Sequence, residues 1–411
     1  MTMDVLLRAR HVLPITAAPI EDGAVLISGN RIAGVGRFSE LRTTHSGEMH
    51  DLGEVALLPG LVNAHCHLDY CMMRRAISPQ RTFTEWIRRI NALKRSLDNA
   101  DYAAAIVQGF EELRSYGTTT VANIESFPEV LHLLPRPPLR VWWFLEMIDV
   151  RHRTTSEETM AGVLSFFEAQ PDWPGGFGLS PHAPYTASGS LYELTSRAAE
   201  QSDMLVTTHV AESREEWDMF RNASGELYDF MLKLGRWMYD CQPGRTPLGH
   251  VFAHGRPGPG WILAHMNELN EGDFEALTAL APEARPSVVH CPGSHRYFRH
   301  APFPLARLKE CGINVCLGTD SLASTLTLSM FDEMRIFARR EPMLPAAEIL
   351  QMATLHGARA LRLDAGQLKI GCLADLITVP YAGSAEDIHD AVLEHRGAVP
   401  WIMLDGQLPA S

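Results

Sequence analysis

Apolar segments of strand length alternate with segments of helical periodicity through the middle of the chain. In chain order the strand-like segments are LVNAHCH, TTTVANI, VWWFLEM, FGLSPHA, LVTTHVAE, WILAHMN, SVVHCP and INVCLGTD. They lack the polar alternation of a half-exposed strand, so we expect both of their faces to be buried. Eight buried strands that alternate with helices predict an α/β fold, a parallel TIM-like (β/α)8 barrel rather than an open antiparallel sheet.

Both ends of the chain have a different, β-rich pattern. Short apolar stretches separated by turns begin the chain, in DVLLRARHVLPI, AVLISGNRIAGVG and EVALLPG. The same character returns after Gly366, in QLKIGCLADLITVPY and AVPWIMLDGQ. We therefore expect the two ends to form one β layer. The longest interruption of the barrel pattern, residues 213–260, is rich in Gly, Pro, Trp and Tyr and is predicted to form a lid over the barrel mouth.

The composition narrows the classes of function that this chain can have. Its 411 residues are 46% hydrophobic and 21% charged, as in globular proteins, and no apolar run approaches the roughly 20 residues of a membrane span. A net charge of -13 argues against nucleic acid as a partner, so a small molecule is the expected ligand. Seven cysteines without an evident disulfide framework, and a beginning without an export signal, predict a cytoplasmic protein.

Candidate metal ligands stand at the ends of several predicted barrel strands. His65 and His67 occupy alternate positions at the end of the first strand, so their side chains point to one face and can chelate one ion. An isolated pair of this kind is often only two polar residues at a strand end. Here, however, His209 ends the fifth strand, His265 the sixth and Asp320 the eighth, where a barrel places its functional residues. Imidazole and carboxylate ligands suit zinc or ferrous iron, and such a centre can bind and ionise water.

These motifs and their order resemble those of the amidohydrolase superfamily. The similar segments are PGLVNAHCH, the strand end THVAE, LAH, and GTDS followed by a helix, and they span nearly the whole chain. The resemblance implies a (β/α)8 barrel with a small β-sandwich built from both termini. We place the sandwich in residues 1–58 and 362–411, and the barrel in residues 59–361. The deaminase branch of this family uses one divalent metal, for which zinc is expected and iron is the alternative.

The resemblance also implies which residues hold the metal and which one moves protons. His65, His67, His209 and Asp320 would be the ligands. No carboxylated lysine is expected, because the fourth strand ends in SPHAPYT, so the site would be mononuclear. Glu212 would be the proton shuttle, a role that suits a carboxyl group whose pKa is raised toward neutrality. The alternative for Glu212 is an exposed acidic residue at the start of a helix.

The same resemblance assigns a second proton-handling group and a set of substrate contacts. Asp320 would act as general base as well as ligand, and His265 would polarise the attacking water or the reacting group; an unligated core histidine is the alternative for His265. His182, in SPHAPYT, is similar to the family's substrate-contacting histidine of the fourth strand. A tryptophan such as Trp86 could stack on a planar ring, although aromatic residues on barrel helices more often belong to the core. The predicted substrate contacts are Trp86, His182, Tyr185, Glu212 and Ser321.

Two departures from the family pattern concern the substrate. The segments FTEWIRRINALKR and HVAESREEWDMF are most similar to aminodeoxyfutalosine deaminases, and next to methylthioadenosine and adenosylhomocysteine deaminases. Their ribose-binding glutamate is replaced here around Leu93 or Lys94. After the seventh strand the family commonly has Cys-Pro-Arg-Ser-Asn, where this chain has CPGSH, with Gly293 in place of the arginine. Arg296 or Arg299 would supply the missing guanidinium, or the ligand lacks the group that it holds.

The sequence thus predicts hydrolytic deamination of an aminated aromatic heterocycle, such as the adenine-type nucleoside aminodeoxyfutalosine, with release of ammonia. A second hypothesis keeps the same centre but expels chloride or an alkylamine, or opens a cyclic amide. A third hypothesis is a metal-stabilised barrel without catalytic activity, although such a scaffold would not need Glu212. The family resemblance further suggests a homodimer.

Overall fold

The computed structural model describes residues 4–45, 47–150, 154–170 and 173–408. Its strands are, in chain order, β1 (Val5–Val12), β2 (Ile20–Ser28), β3 (Arg31–Arg37), β4 (Glu48–Asp51), β5 (Val55–Pro59), β6 (Leu61–His67), β7 (Thr118–Glu125), β8 (Arg140–Met147), β9 (Gly175–Pro181), β10 (Leu205–Val210), β11 (Trp261–His265), β12 (Ser287–His290), β13 (Asn314–Leu317), β14 (Asp320–Ser321), β15 (Leu376–Pro380) and β16 (Trp401–Met403).

The helices connect the strands and complete the outer layer. The α-helices are, in chain order, α1 (Phe38–Thr44), α2 (Phe83–Lys94), α3 (Asn99–Ser115), α4 (Ser156–Glu168), α5 (Gly189–Ser202), α6 (Arg214–Asn222), α7 (Glu226–Lys233), α8 (Pro247–His254), α9 (Glu271–Thr278), α10 (Pro292–Phe298), α11 (Leu305–Glu310), α12 (Met330–Arg340), α13 (Ala346–Met352), α14 (Leu355–Ala360) and α15 (Ile388–Leu393). Single 3-10 helices occupy Leu68–Met73, Pro128–Leu133 and Pro282–Ala284.

Strands β6 to β13 form a parallel sheet that closes into a barrel. They pair in chain order, from β6 with β7 to β12 with β13. β14 continues β13 and pairs in parallel with β6, so the last strand joins the first. The backbones of the last and first strands are in close contact at Gly318, where a Cβ would lie 2.7 Å from the backbone oxygen of His65. The predicted (β/α)8 barrel is therefore confirmed, and the eight apolar segments are its strands.

The barrel strands are apolar because helices cover their outer faces. Every residue of β6, β7, β10 and β11 is buried. Several covering helices begin with a capping box, in which Asp98, Thr155 and Asn270 each accept hydrogen bonds from the otherwise unpaired N–H groups of the first turn of α3, α4 and α9. Because the strands are parallel, all of their carboxyl ends open on one face of the barrel, where a barrel enzyme places its site.

The two ends of the chain come together in one mixed sheet, in the order β16, β15, β5, β1, β2, β3, with β4 paired to β1. Arg140, on barrel strand β8, links this sheet to the barrel through ion pairs with Asp375 and Asp405, at 2.9 and 2.8 Å. The predicted division at residues 58 and 362 stays a prediction. The ranges given for it include residues 1–3, 46, 151–153, 171–172 and 409–411, which lie outside the described residues.

Residues 213–260 contain helices α6, α7 and α8. The end of α7 and the residue after it reach the mouth of the barrel, where Phe230, Met231 and Leu234 line the central cavity. The segment therefore lies where a lid is expected, and its closing motion stays a prediction. Among the residues that the structure describes, no helix has the combined length and apolarity needed to cross a membrane.

Candidate metal centre and active-site cavity

Two histidines of β6 form one side of a buried cluster at the carboxyl ends of the barrel strands. His65 and His67 are both buried, and their rings lie 5.1 Å apart between centroids. The pleat of β6 places both side chains on the inner face, as their alternate positions predict. Asp320, on β14, completes this side: its Oδ1 lies 4.0 Å from Nε2 of His65 and 3.9 Å from Nε2 of His67.

Histidines from strands β10 and β11 complete the cluster. The Nε2 atoms of His67 and His209 are 3.1 Å apart. The His265 ring lies 5.5 Å from that of His209 and 5.4 Å from that of His65. Ligand atoms about 2.0–2.2 Å from one ion lie roughly 3–4 Å from one another. The 3.1 Å between the Nε2 atoms of His67 and His209, and the 3.9 and 4.0 Å from Asp320 Oδ1 to His67 and His65, suit a single metal. The structure thus brings together the predicted ligands His65, His67, His209 and Asp320, with His265 beside them.

The cluster has ring nitrogens that lack a hydrogen-bond partner. Among the described residues, both ring nitrogens of His65, Nδ1 of His67 and Nε2 of His265 are buried without one. Leaving a buried polar atom unpaired is costly, and a bound ion would remove this cost. Burial lowers the pKa of His65 and His67 well below the ordinary value, so both rings are neutral and keep a lone pair. These residues therefore fit a metal ion.

The orientation of one ring is set from outside the cluster. Nδ1 of His209 lies 2.8 Å from the backbone oxygen of His182, which can only accept, so Nδ1 carries the proton. Nε2 of His209, which faces His67, is then free of a proton and able to ligate. A partner that fixes the tautomer in this way is typical of metal-binding histidines.

Glu212 lies beside the cluster, just after the end of β10. Its side chain is buried, and its Oε1 lies 3.8 Å from Nε2 of His265. Burial, and then the negative charge of Asp320, raise the pKa of Glu212 well above the ordinary value. The loop is held by Asn267, whose side chain donates to the backbone oxygen of Glu212 at 2.9 Å. A buried carboxyl with a raised pKa can hold and release a proton, which an exposed acid at a helix start would not do as well.

The backbone is strained at the strand ends that carry these groups. Ala211, His265, Met266 and Asp320 all have positive φ, at 52°, 75°, 52° and 58°. Each such residue other than glycine costs about 1–3 kcal/mol and persists only where its surroundings enforce it. Asp320 is a candidate ligand, Ala211 precedes Glu212 in the chain, and the His265 ring lies 3.8 Å from Glu212. The strain at these positions therefore indicates that side-chain placement is favoured here at the expense of stability.

A cavity opens from the cluster toward solvent, and all the predicted substrate contacts line it: Trp86, His182, Tyr185, Glu212 and Ser321. His67, His209, His265 and Asp320 line its floor. Trp86 stacks on Phe83 at a centroid distance of 5.9 Å and also lines the cavity. Trp217 and Trp237, two further tryptophans of the chain, are not among the residues that line it.

The cavity also contains an acidic residue that the sequence patterns did not single out. Glu146 is the penultimate residue of strand β8, and its Oε2 lies 3.8 Å from Nε2 of His182. Burial raises the pKa of Glu146, but the charges of His182 and then Lys94 outweigh this effect and lower it. Its place at the carboxyl end of the third barrel strand, in VWWFLEM, was the signal that could have identified it.

The structure explains why the chain has glycine where an arginine is common. The Gly293 backbone N–H donates to Oε2 of Glu333 at 2.6 Å. A Cβ on Gly293 would lie 2.4 Å from Oε1 of Glu333 and 2.5 Å from Oγ1 of Thr325. The Glu333 carboxyl therefore occupies the space that a side chain would need. Neither Arg296 nor Arg299 is among the described residues that line the cavity, so neither supplies the missing guanidinium there.

The comparisons with known proteins agree with this geometry. The model of the amidohydrolase family matches residues 56–393. The chain belongs to the amidohydrolase family. A 5-methylthioadenosine/S-adenosylhomocysteine deaminase from Pyrococcus furiosus is 30% identical over 341 residues, which are 80% of this chain and 76% of that protein. The predicted family is thereby confirmed.

Two solved structures share the whole architecture. An adenosine deaminase from Xanthomonas campestris with bound zinc is 26% identical, with a TM-score of 0.81, over 98% of this chain and 92% of that one. An aminofutalosine deaminase from Helicobacter pylori, in complex with methylthio-coformycin, has a TM-score of 0.87 over 98% of this chain and 100% of that one. At 23% identity this second likeness concerns the fold alone.

Proposed function

We propose that this protein is a metal-dependent hydrolase that deaminates an adenine-type nucleoside and releases ammonia. The observation that carries the proposal is the buried Glu212 carboxyl beside His265, at the floor of a cavity with aromatic walls. The names of the relatives support it, because they describe deaminases of adenosine and its 5′-derivatives. Aminodeoxyfutalosine remains our candidate within this substrate class.

The proposed ligands of one divalent metal are His65, His67, His209 and Asp320, and zinc is the metal that we expect, with iron as the alternative. The unpaired nitrogens of His65 and the tautomer of His209 support this set. When bound, the metal would act as a Lewis acid that lowers the pKa of a coordinated water toward neutrality.

The protein's own groups would handle the protons of the reaction. Glu212 takes a proton from the attacking water as oxygen adds to the amine-bearing ring carbon, and gives a proton to the nitrogen that leaves as ammonia. Asp320 acts as a second base on the same water. His265 polarises the attacking water or the reacting group, and its pKa, lowered well below the ordinary value by burial, keeps the ring neutral. One water is consumed, one C–N bond breaks and one C–O bond forms.

The cavity walls would orient the ring. Trp86 offers an apolar face for stacking, and His182, Tyr185 and Ser321 offer polar atoms to the edge of the ring. Thr186 donates to, or accepts from, Nδ1 of His182 at 2.5 Å, so the imidazole is held in one orientation. Nε2 of His182 then faces the cavity and Glu146.

The test replaces Glu212 by glutamine and measures metal content and ammonia release from adenosine and its 5′-derivatives. Metal content should stay near that of the wild type, while turnover falls by about 10²–10⁴-fold, because glutamine cannot transfer the proton. Glu275→Gln, on the exposed face of α9, is the matched control and should keep wild-type turnover. Unaltered turnover in Glu212→Gln would remove Glu212 from the mechanism. Release of chloride or an alkylamine from a substituted triazine, without ammonia from any nucleoside, would instead support the alternative hydrolase.

Two expectations from the sequence accompany this proposal. We infer a homodimer from the family resemblance. Light scattering of the purified protein measures the molecular mass and thereby the oligomeric state.

We infer a cytoplasmic location from the seven cysteines, all of which are buried and free in the structure. Cell fractionation would test this location.

A further inference from the structure

The active-site cavity continues outward along helix α2 into a second depression, which we call the outer cleft. Its lining residues are Arg88, Asn91, Lys94, Arg95, Phe127, Phe230 and Leu234. Four of these also line the active-site cavity, namely Asn91, Lys94, Phe230 and Leu234. The two cavities therefore adjoin along these residues, and the distal end of a substrate whose ring lies at the metal cluster would lie next to the outer cleft.

The outer cleft is positively charged in a protein that is strongly negative overall. Three of its lining residues are cations and, among the described residues that line it, none is acidic. The whole chain has a net charge of -13. Arg88 is paired with Glu226 at 2.9 Å, and Arg95 donates to the backbone oxygen of Asn91 at 3.1 Å. A local field of opposite sign to the whole protein attracts anions to this opening.

Lys94 is the cation in the best position to bind a ligand. Its Nζ donates to Oη of Tyr70 at 2.6 Å and lies 4.9 Å from the centroid of the Tyr70 ring and 5.2 Å from that of Phe127. In the described part of the chain it forms no ion pair. Its charge acts on two buried carboxyl groups, Asp69 and Glu146, and Glu146 already faces His182 at 3.8 Å. An ammonium group has three donors, so two remain available to a ligand.

We propose that the outer cleft binds an anionic group, a carboxylate or a phosphate, at the end of the substrate distant from the aminated ring. This inference rests on the proposed function, because the reacting ring determines which end lies outward. Lys94 donates to the anion, and the side chains of Phe127 and Phe230 pack against the part of the substrate that connects the two ends. Lys94 is half-buried, so its charge is less screened than that of an exposed lysine.

The experiment compares three nucleosides that differ only in the 5′ group: 5′-deoxyadenosine, which is neutral, adenosine 5′-carboxylate and adenosine 5′-monophosphate. We expect at least one of the two anions to exceed the neutral compound in kcat/KM by about tenfold or more, the size of one charge-assisted hydrogen bond. The anion that does so identifies the group. The preference should weaken as the salt concentration rises.

Three variants assign the preference to Lys94. Lys94→Gln should reduce the ratio of anionic to neutral kcat/KM about tenfold, and Lys94→Arg should keep most of it, because the charge remains. Arg89→Gln is the matched control: it removes the same charge from the same helix, but Arg89 is exposed and lines neither cavity, so the ratio should stay at the wild-type value. A wild-type ratio near or below one, or the same ratio in wild type and Lys94→Gln, would overturn the inference.

A binding measurement separates this inference from the proposed function. If none of the three compounds releases ammonia, the proposed deamination fails, and titration calorimetry with adenosine 5′-monophosphate, adenosine 5′-carboxylate and 5′-deoxyadenosine still tests the outer cleft. Tighter binding of an anion than of 5′-deoxyadenosine, lost in Lys94→Gln, supports the inference. Equal binding of anionic and neutral compounds, or anion binding that is unchanged in Lys94→Gln, refutes it.

Discussion

Replacement of Arg236 by methionine should destabilise the protein and loosen one wall of the active site. The Arg236 guanidinium is buried and joins residues 213–260 to the loop after β9. It donates to both carboxylate oxygens of Asp240 at 2.7 Å and to the backbone oxygens of Pro184 and Tyr185 at 3.0 Å. Methionine fills a similar volume but makes none of these bonds, so the lost polar contacts dominate the result.

The magnitude follows from what the substitution leaves behind. Removing one partner of a buried ion pair costs about 3–5 kcal/mol, because the other charge stays buried without compensation. The oxygens of Pro184 and Tyr185 also lose a donor in a buried place, and this effect acts in the same direction. We therefore expect a loss of at least about 3 kcal/mol in the free energy of unfolding. The double variant Arg236→Met, Asp240→Leu should recover about 2 kcal/mol, because it removes the uncompensated charge as well.

The assay is urea unfolding of the metal-loaded protein, followed by tryptophan fluorescence, together with hydrogen exchange of residues 226–254. Arg81→Met is the control, because Arg81 forms a similarly spaced pair with Glu85 but its side chain is 88% exposed. Such a surface pair contributes about 0.2–1 kcal/mol. In Arg236→Met we also expect a higher KM with a smaller change in kcat, since Tyr185 lines the cavity and its backbone is released.

Two outcomes would refute this reasoning. If Arg236→Met unfolds at the same urea concentration as Arg81→Met, with unchanged exchange in residues 226–254, the buried pair does not hold the segment. If the double variant is as unstable as Arg236→Met alone, the loss does not come from the uncompensated charge of Asp240 and has to be attributed to the backbone oxygens.

Two further substitutions test the packing and the pH dependence of stability. Gly293→Ala should lower the free energy of unfolding by about 1–3 kcal/mol, measured by thermal unfolding, because the new Cβ would lie 2.4 Å from Glu333 and 2.5 Å from Thr325; an unchanged midpoint would contradict this. Burial raises the pKa of Asp240, but the hydrogen bonds and charge of Arg236 outweigh it and hold the pKa below the ordinary value. The stabilisation by the Asp240 carboxylate is therefore present above the unfolded-state pKa of about 3.9 and is lost as the pH falls through the folded-state pKa. The free energy of unfolding of the wild type should exceed that of Asp240→Asn by a constant margin at neutral pH, and this margin should disappear in acid.

The barrel and the cluster of candidate metal ligands could be predicted from the sequence because both depend on local geometry. A strand buried on both faces has a continuous apolar pattern, and the pleat determines which of its residues share a face. His65 and His67 therefore had to point the same way, and parallel closure then brings the ends of β6, β10 and β14 together. No detailed knowledge of side-chain packing is needed for this step.

Other features of the site could not be predicted because they depend on contacts between distant parts of the chain. Gly293 meets Glu333 across 40 positions of sequence, and Arg236 meets Tyr185 across 51. Neither pair leaves a periodic pattern. The sequence indicated only that the usual arginine is missing at position 293, while the reason, a carboxyl group in the space that a side chain would fill, required the tertiary structure.

The same difference explains why the chemistry of this site is easier to infer than its substrate. The groups that we propose to react stand at or just after strand ends, whose positions the sheet determines. The groups that we propose to face the rest of the substrate stand on α2 and on residues 213–260. Lys94 illustrates this. The sequence places the replaced ribose-binding glutamate at either Leu93 or Lys94, and the structure distinguishes the two: Leu93 packs against the core, whereas Lys94 lines the cavity. Which of the two side chains faces the cavity depends on the rotation of α2 about its axis, so the positive charge of the outer cleft is a property of the fold. Measuring the preference for anionic substrates in Lys94 variants therefore tests the substrate class directly.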